Sequence, residues 1–336
     1  MTDLPALAYD VLGFGNAIVD VIAETDERTL ERLNLVKSTM HLIERPRMRE
    51  LYEGMGPAIE MSGGSCANTM AALASLGAKV AYVGKVHDDQ LGEVFRHDIR
   101  ATGVHFRTAP LQEGPPTARC LVLVTKDAQR TMATYLGACV ELGPDDVDEA
   151  QVAAASIVYL EGYLWDRPGA KGACLKAAEI AHRHGRRVAL TLSDPFCVDR
   201  WRGEFADLIA RHVDILIANE VEICSLYGAN ELEQAVEMVR GRVDVAALTC
   251  SADGSVLVTR EHTHRIAAAP VHAVVDTTGA GDLYAAGLLF GLARDLPLPA
   301  CGRLGSLAAA EVLGHYGARP QRPLAPLVAA ALQGGA

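Results

Sequence analysis

Apolar residues along this chain follow two periods, which alternate through most of its length. Continuous apolar runs, typical of buried strands, occupy residues 9–15, 79–84, 156–162, 187–192, 213–219 and 243–249. Apolar residues spaced three and four apart, typical of helices, occur from Ser65 onward and over residues 89–101, 168–184, 200–211, 219–227 and 230–240. Strands that alternate with helices in this way predict an α/β fold with a central, mostly parallel sheet and helices on both faces.

Residues 104–136 interrupt this alternation with extended stretches that have no helix between them. These stretches are HFRTAP, ARCLVLVT and RTMATYL, and a similar one, AIVDVIAE, directly follows the first strand. We expect insertions at about residues 17–45 and 104–138 to form a small β-sheet lid. The lid and the larger sheet together predict one α/β domain that spans residues 1–336.

The remaining pattern adds further helices and one hairpin. Helices are predicted at residues 46–54, 280–293, 298–315 and 323–332, and a hairpin at residues 254–268. The segment PAIEMS, residues 57–62, is a poor strand by its residue types. It precedes GGSCA, which is one residue short of a serine-hydrolase nucleophile elbow. Because such an elbow needs a preceding strand, we set this chemistry aside.

Composition narrows the possible classes of protein. Half of the 336 residues are hydrophobic, which is more than disordered chains carry. Asp and Glu number 42 against 31 Lys and Arg, a net charge of −11, and this argues against nucleic acid as a partner. The longest apolar run near the end, residues 283–293, is too short to cross a bilayer, so we expect no membrane partner.

The cysteines and the first residues bear on the cellular compartment. The eight cysteines are irregularly spaced and include no C-x-x-C pair, which argues against a zinc cluster or a disulfide framework. The opening MTDLPALAYD lacks the basic and apolar regions of a secretory leader. We therefore expect a cytoplasmic protein with reduced thiols, and the sequence leaves open whether it is a monomer or a homodimer.

The most informative stretch is VVDTTGAGDLYAAGLLFGLARD, residues 274–295. Two threonines precede a Gly-Ala-Gly turn and can cap a helix whose first backbone N–H groups have no intrahelical partner. These amides lie at the positive end of the helix dipole and predict an anion site. Because no Lys or Arg occurs between Ile266 and Ala293, backbone amides and a metal must hold most of the charge of a bound phosphate. The alternative is an ordinary helix start with an acidic residue.

Within this stretch, DTTGAGD resembles the C-terminal signature of the PfkB-type, ribokinase-like kinase family. Four further family motifs occur in the expected order across nearly the whole chain: GNAIVD (15–20), GGSCAN (63–68), LSDPF (192–196) and NEVE (219–222). The resemblance implies a Rossmann-like ribokinase fold and transfer of the γ-phosphoryl group of ATP to a hydroxyl. Within the family, the chain is most similar to bacterial kinases of the adenosine kinase type, which implies the 5′-hydroxyl of adenosine as acceptor.

The resemblance also implies roles in the transfer step. Asp282 is the base for the acceptor hydroxyl, and Gly279, Ala280 and Gly281 form an anion hole for the migrating phosphoryl group. Because a helix N-terminus lowers the pKa of a carboxyl in its first turn, we expect Asp282 to take the proton late. Arg130 aligns with a lid arginine that folds over the phosphate; alternatively it is a solvated turn residue.

Other motif positions imply a substrate site and a nucleotide site. The positions that bind ribose hydroxyls are Asn16, Asp20, Gly63, Gly64 and Asn68. Side chains that line a purine pocket, or alternatively are plain core, are Met132, Leu136, Tyr163 and Phe196. The nucleotide positions are Asn219, Glu222, Thr249, Gly254 and Ser306. The implied cofactors are ATP and Mg²⁺, the latter held by Glu222 through water, with a possible K⁺ beside Asp276 and the Thr278 carbonyl.

Two other functions stay open. The chain departs from animal adenosine kinases in the predicted lid strand and in the helix after GGSCAN, and these regions contact the base. A sugar kinase of the ribokinase or fructokinase type is therefore the first alternative. The second alternative is a ligand-binding regulator that has lost turnover, although the intact GAGD and NEVE motifs argue against it.

Overall fold

The computed structural model describes residues 7–127 and 129–333, which form two β-sheets and the helices that pack on them. The strands are β1 (Tyr9–Phe14), β2 (Ile18–Glu24), β3 (Met40–Leu42), β4 (Ala58–Gly63), β5 (Val80–Val83), β6 (His105–Phe106), β7 (Ala118–Val124), β8 (Arg130–Tyr135), β9 (Ala155–Glu161), β10 (Arg187–Thr191), β11 (Ile215–Asn219), β12 (Val245–Thr249), β13 (Ser255–Val258) and β14 (Thr263–Ile266). The helices are α1 (Glu27–Arg32), α2 (Arg45–Gly54), α3 (Ser65–Ser75), α4 (Gln90–Ala101), α5 (Glu149–Ala153), α6 (Pro168–Arg183), α7 (Pro195–His212), α8 (Glu220–Tyr227), α9 (Leu232–Val239), α10 (Ala280–Ala293), α11 (Leu298–Leu313) and α12 (Ala325–Gln333).

The larger sheet has nine strands in the order β14-β13-β12-β11-β10-β9-β1-β5-β6. Its strands from β12 to β6 are parallel, and the hairpin of β13 and β14 adds two antiparallel strands at one edge. Successive residues of a strand point to opposite faces, so Val11 belongs to one apolar core and Leu12 to the other. The prediction of a mostly parallel sheet covered on both faces is confirmed.

The smaller sheet has five strands in the order β3-β8-β7-β2-β4. A second sheet from β2, β7 and β8 is confirmed, but its limits differ from those expected. The segment thought to be a poor strand is β4, which pairs with β2 along its whole length as an edge strand. The extended residues His105–Phe106 instead pair with β5 at the edge of the larger sheet. Pairing with a strand that is distant in sequence makes both β4 and β6 strands, and the residue types of these segments do not reveal that pairing.

One helix begins earlier than its periodicity indicates. The pattern predicts a helix from residue 200, whereas α7 begins at Pro195. The Asp194 side chain caps it by accepting from the Cys197 backbone N–H at 2.7 Å, and proline is favourable in a first turn. Trp201 has a non-helical backbone (φ −120°, ψ 21°) and kinks α7, so the apolar period restarts there.

The structure bears on the expectations about cysteines, membrane spans and a secretory leader to different extents. All eight cysteines are free thiols, and six of them are buried. Within the described ranges, no helix has both the length and the apolar character that a membrane span needs. Most of the residues on which the expectation about a secretory leader rests, 1–6, lie outside the described part of the chain.

Candidate active site

Four parallel strands carry polar residues where they end at one edge of the larger sheet. Asn16 follows β1, β9 ends at Glu161, β11 ends at Asn219 and β12 ends at Thr249. Neighbouring parallel strands have their carboxyl ends side by side, and Asn219 pairs directly with Thr249. The crevice outside the carboxyl ends of the strands is where open α/β sheets bind ligands.

Asp282 lies in the first turn of α10, and α3 supplies its hydrogen-bond donors. Ser65 Oγ donates to Oδ1 at 2.6 Å, and Asn68 Nδ2 donates to Oδ2 at 3.1 Å. Helices α3 and α10 pack against each other, so two helix N-termini converge on this one carboxylate. Such a convergence concentrates positive potential, which suits a site that handles anions.

The acidity of Asp282 differs from the expectation. Burial raises the pKa of Asp282, and the bonds from Ser65 and Asn68 together with the charge of Arg319 offset only part of the rise. The prediction of a lowered pKa is therefore wrong, because loss of water around the carboxylate outweighs the helix terminus. A carboxylate with a raised pKa is a better acceptor for a hydroxyl proton.

The start of α10 also differs from the expected cap. The residue that precedes the helix is Gly279, in the left-handed conformation with φ +81°, and no side chain caps it. Thr278 Oγ1 instead donates to Asp276 Oδ1 at 2.7 Å. The Ala280 N–H donates to the Thr277 carbonyl at 3.3 Å, so it is partly occupied. The prediction that a threonine caps this helix is therefore wrong, and the turn depends on the left-handed conformation of Gly279 for its shape.

Asp20 of β2 reaches the same place from the smaller sheet. A Cβ at Gly63 would lie 2.4 Å from Asp20 Oδ2, so only glycine leaves room for this carboxylate. Burial raises the pKa of Asp20 to about 6; the charges of Arg319 and Arg130 limit the rise, and Asp282 adds to it. Two carboxylates from different elements, Asp20 and Asp282, therefore interact at this site.

Asn16 is held by Glu161, a residue that sequence analysis does not single out. Glu161 Oε1 accepts from the backbone N of Asn16 at 3.3 Å and from its Nδ2 at 3.0 Å, and Oε2 accepts from the Cys66 backbone N at 2.9 Å. Only 1% of Glu161 is exposed, and burial raises its pKa to about 7. At the end of an apolar strand, one glutamate gives no sequence signal that distinguishes it from a surface acid.

Arg130 brings a cation to the cation-free segment before α10. Its Nη2 lies 2.9 Å from Asp276 Oδ2, and the two side chains are only 10% and 8% exposed. The Asp276 carboxylate also accepts from the Thr278 N–H and the Gly317 N–H, each at 3.0 Å. Arg130 is therefore not a solvated turn residue, and that alternative is wrong. Its contact with a phosphate stays a prediction.

Arg319 is a second site cation that sequence analysis missed. Its Nε donates to Asn68 Oδ1 at 2.8 Å, and its Nη2 donates to the Ser62 carbonyl at 2.9 Å. It lies within reach of the charges of Asp20 and Asp282. Its segment, residues 317–320, reads as an ordinary loop between two helices, and the only available signal was a charged residue in a Gly- and Pro-containing stretch.

Most of the expected nucleotide positions lie at or next to the ends of β11 and β12. Asn219 and Glu222 cap α8 reciprocally: Glu222 N–H donates to Asn219 Oδ1 at 2.8 Å, and Asn219 Nδ2 donates to Glu222 Oε1 at 2.6 Å. Burial raises the pKa of Glu222 to about 7. Gly254 closes the turn after Thr249, and Ser306 is buried on α11, which packs against β13 and β14.

The candidate base-contacting residues all keep some exposed surface, and Tyr163 also packs against an apolar core; their contact with a base stays a prediction. Met132, Leu136 and Tyr163 are all half-buried, and Phe196 at the start of α7 is 78% exposed. The hydroxyl of Tyr163 donates to the Ser193 carbonyl at 3.4 Å. Their side chains thus keep surface that a ligand can cover.

The raised pKa of Glu161 gives the first testable prediction. The folded protein holds this proton more tightly than the unfolded chain, so its contribution to the free energy of unfolding is complete below about pH 4.5 and is lost as pH rises toward about 7. The loss amounts to about 3 kcal/mol for this group. We expect E161Q to lose less stability over this range than the wild type, measured by urea unfolding.

The matched control is Glu231→Gln, the same change at an exposed position, which should follow the wild type. If the free energies of unfolding of the wild type and E161Q changed in parallel with pH, the raised pKa assigned to Glu161 would be contradicted.

The sheet edge, the helix N-terminus with its carboxylate, the Arg130 of the smaller sheet and the Arg319 of the loop after α11 agree with the comparisons, which indicate an ATP-dependent kinase that acts on hydroxyl groups. The family model described as pfkB family carbohydrate kinase matches residues 60–324. The chain belongs to this PfkB family, and the expected Rossmann-like ribokinase fold is confirmed.

Known proteins of two kinds resemble the chain. It is 53% identical to the adenosine kinase of Sinorhizobium meliloti, with a TM-score of 0.89 over 96% of this chain and 99% of that one. It is 49% identical to a probable sugar kinase from Rhizobium etli, with a TM-score of 0.90 over 98% and 99% of the two chains. It is 31% identical to the aminoimidazole riboside kinase of Salmonella typhimurium over 70% of this chain and 75% of that protein.

Proposed function

We propose that this protein is a nucleoside kinase that transfers the γ-phosphoryl group of ATP to the 5′-hydroxyl of adenosine and forms AMP, a reaction of purine salvage. The face that the smaller sheet presents beside Asp20 supports this acceptor class. The 53% identity to an adenosine kinase supports the same choice.

The face of the smaller sheet that carries Asp20 is largely apolar, and this observation carries the proposal. Directly paired residues share a face: Asp20 pairs with Cys120, Cys120 with Thr134, and Val122 with Met132. Cys120, Val122 and Met132 therefore lie on the face of Asp20. A carboxylate next to apolar side chains fits a ligand that has a diol at one end and a flat ring system at the other. A free sugar carries hydroxyls all round and gains less there.

The proposed reaction assigns a role to each polar residue at the edge. Asp20 accepts hydrogen bonds from ribose hydroxyls, and Asn16 and Asn68 bind the same sugar. Asp282 accepts the proton of the 5′-hydroxyl while that oxygen forms its bond to the γ-phosphorus and the bond from phosphorus to ADP breaks.

Two features of this chain balance the negative charge of the transferred phosphoryl group. The backbone N–H groups of residues 279–281 lie at the positive end of α10, where they form the proposed anion hole. Arg130 leaves Asp276 or shares it, and neutralises the phosphoryl group from the side of the smaller sheet.

The residues around Glu222 fit the nucleotide and Mg²⁺. Thr249, Gly254, Asn219 and Ser306 contact ATP in this proposal. Glu222 is 5% exposed and has a raised pKa, so its ionised form gains from a nearby cation. Both carboxylate oxygens of Glu222 already accept a hydrogen bond from Asn219. Their remaining lone pairs can bind water, so a contact with Mg²⁺ through water is favoured over a direct one. When bound, Mg²⁺ supplies positive charge across the nucleotide phosphates.

Three further assignments belong to the proposal. The free thiols suit a cytoplasmic enzyme. All the proposed site residues come from one chain, so the site agrees equally with a monomer and with a homodimer. A monovalent cation beside Asp276 stays a prediction, since this carboxylate already accepts from Thr278, Gly317 and Arg130.

A sugar kinase is the second candidate, because the chain is 49% identical to a probable sugar kinase. Mg²⁺- and ATP-dependent ADP release should be measured with adenosine, inosine, guanosine, ribose and fructose as acceptors. We expect adenosine to give a kcat/KM at least about 100-fold above either free sugar, since a base in the apolar face contributes binding of a few kcal/mol. Turnover of a free sugar alone would overturn the proposal. Tight adenosine binding without ADP release would instead establish a regulator.

A further inference from the structure

We propose that Arg319 is a positioning residue of the active site, which orients Asn68 and supplies positive charge to the carboxylates of the site. The inference rests on the proposed phosphotransfer and extends it to a residue outside the family motifs quoted above. Arg319 lies between α11 and α12, in the segment GARP, residues 317–320.

Hydrogen bonds fix the guanidinium of Arg319 between two elements. Nε donates to Asn68 Oδ1 at 2.8 Å, and Nη2 donates to Ser62 at both its carbonyl oxygen (2.9 Å) and its Oγ (3.0 Å). Ser62 Oγ in turn donates to Asp98 Oδ2 at 2.6 Å. Because a guanidinium presents its donors in a rigid, planar fork, these bonds set its plane as well as its place.

Arg319 and Asp282, one on each side, fix which way the Asn68 amide points. Rotation of an amide by half a turn exchanges its acceptor oxygen and its donor nitrogen. Because the Nε–H of Arg319 can only donate, it selects Oδ1, and Nδ2 then faces Asp282 and donates to its Oδ2 at 3.1 Å. With the amide reversed, its oxygen would face the Asp282 carboxylate and repel it. Arg319 therefore acts on the proposed base through Asn68.

Charged groups from several elements surround Arg319. The titratable side chains that face it are Asp98 of α4, Asp20 of β2, Asp282 of α10 and Tyr82 of β5. The charge of Arg319 lowers the pKa of Asp20 and of Asp282, in opposition to burial, and Arg130 acts on Asp20 in the same direction. Arg319 Nη1 is shielded from solvent and has no hydrogen-bond partner among the described residues. The charges of Asp98, Asp20 and Asp282 offset only part of the cost of burying this guanidinium, so burial lowers the pKa of Arg319.

Two substitutions separate the charge of Arg319 from its geometry. Arg319→Met removes both, and Arg319→Lys keeps the charge but loses the fork. We expect R319M to lower kcat/KM for the acceptor about 100-fold. The acid limb of its pH profile should move up by about one unit, because Asp20 and Asp282 lose a neighbouring positive charge. For R319K we expect the acid limb to stay near that of the wild type, with kcat about tenfold lower because Asn68 is no longer held.

The matched control is Arg322→Met, an exposed arginine in the same loop, which should behave as the wild type. A folded R319M with an unchanged kcat/KM and acid limb would overturn the inference. If R319M does not fold, R319K decides, and a wild-type kcat in R319K would equally overturn it. These comparisons use whichever acceptor the wild type phosphorylates. A wild type that accepts only a free sugar would therefore refute the nucleoside proposal while still testing Arg319.

Discussion

Asp282→Asn is expected to lower kcat by about 10²–10⁴-fold while the acceptor still binds. The amide has the size of the carboxylate, and it can accept from Asn68 with its oxygen while its NH₂ faces Ser65 Oγ, which can accept in turn. The two contacts that position residue 282 thus survive. What disappears is a carboxylate with a raised pKa that takes the hydroxyl proton.

Rapid-quench single turnover separates the transfer step from binding in this variant, and calorimetry gives the acceptor affinity. Asp207→Asn, the same chemical change on the exposed side of α7, is the matched control and should leave both unchanged. A kcat for D282N within a few-fold of the wild type would show that the reaction needs no base here. A large loss of acceptor affinity with normal single-turnover chemistry would place Asp282 in binding instead.

The predictable parts of this fold are those that local pattern controls. Buried parallel strands are continuous apolar runs, so β1, β9, β10, β11 and β12 were all expected close to their observed positions. Edge strands depend on their partners instead. β4 has mostly exposed or half-buried residues, and only its pairing with β2 makes it a strand.

The candidate site was predictable where its residues are contiguous and not where charges arrive from afar. The lack of Lys and Arg between residues 266 and 293 indicates amides and a metal as the main countercharge, and only the family resemblance points to Arg130. The fold brings Arg130 to Asp276 and Arg319 to Asn68, across about 146 and 251 positions of chain. Glu161 likewise meets Asn16 across 145 positions. No periodicity reports such contacts, because they depend on where whole elements pack.

Gly279→Ala is expected to have the second-largest effect. Gly279 has φ +81°, and an added Cβ would lie 2.7 Å from the Ala318 Cα and 3.0 Å from its carbonyl oxygen. The left-handed conformation costs a residue with a Cβ about 1 kcal/mol, and overpacking against backbone adds about 1–3 kcal/mol. To relieve the contact, either the start of α10 or the loop that carries Arg319 must move. Since misplacement by about 1 Å costs about 100-fold in rate, we expect kcat to fall by that order.

Gly228→Ala separates backbone strain from this contact. Gly228 follows α8 with φ +64°, and nothing lies within 4 Å of the position of its Cβ. It should lose only about 1 kcal/mol in urea unfolding and keep its kcat, because its strain is not coupled to the transferred group. Equal losses of stability in the two variants, with kcat unchanged in G279A, would mean that the helix start tolerates displacement. The amides of α10 would then have no strict place in the transition state, and the anion hole would have to be sought elsewhere.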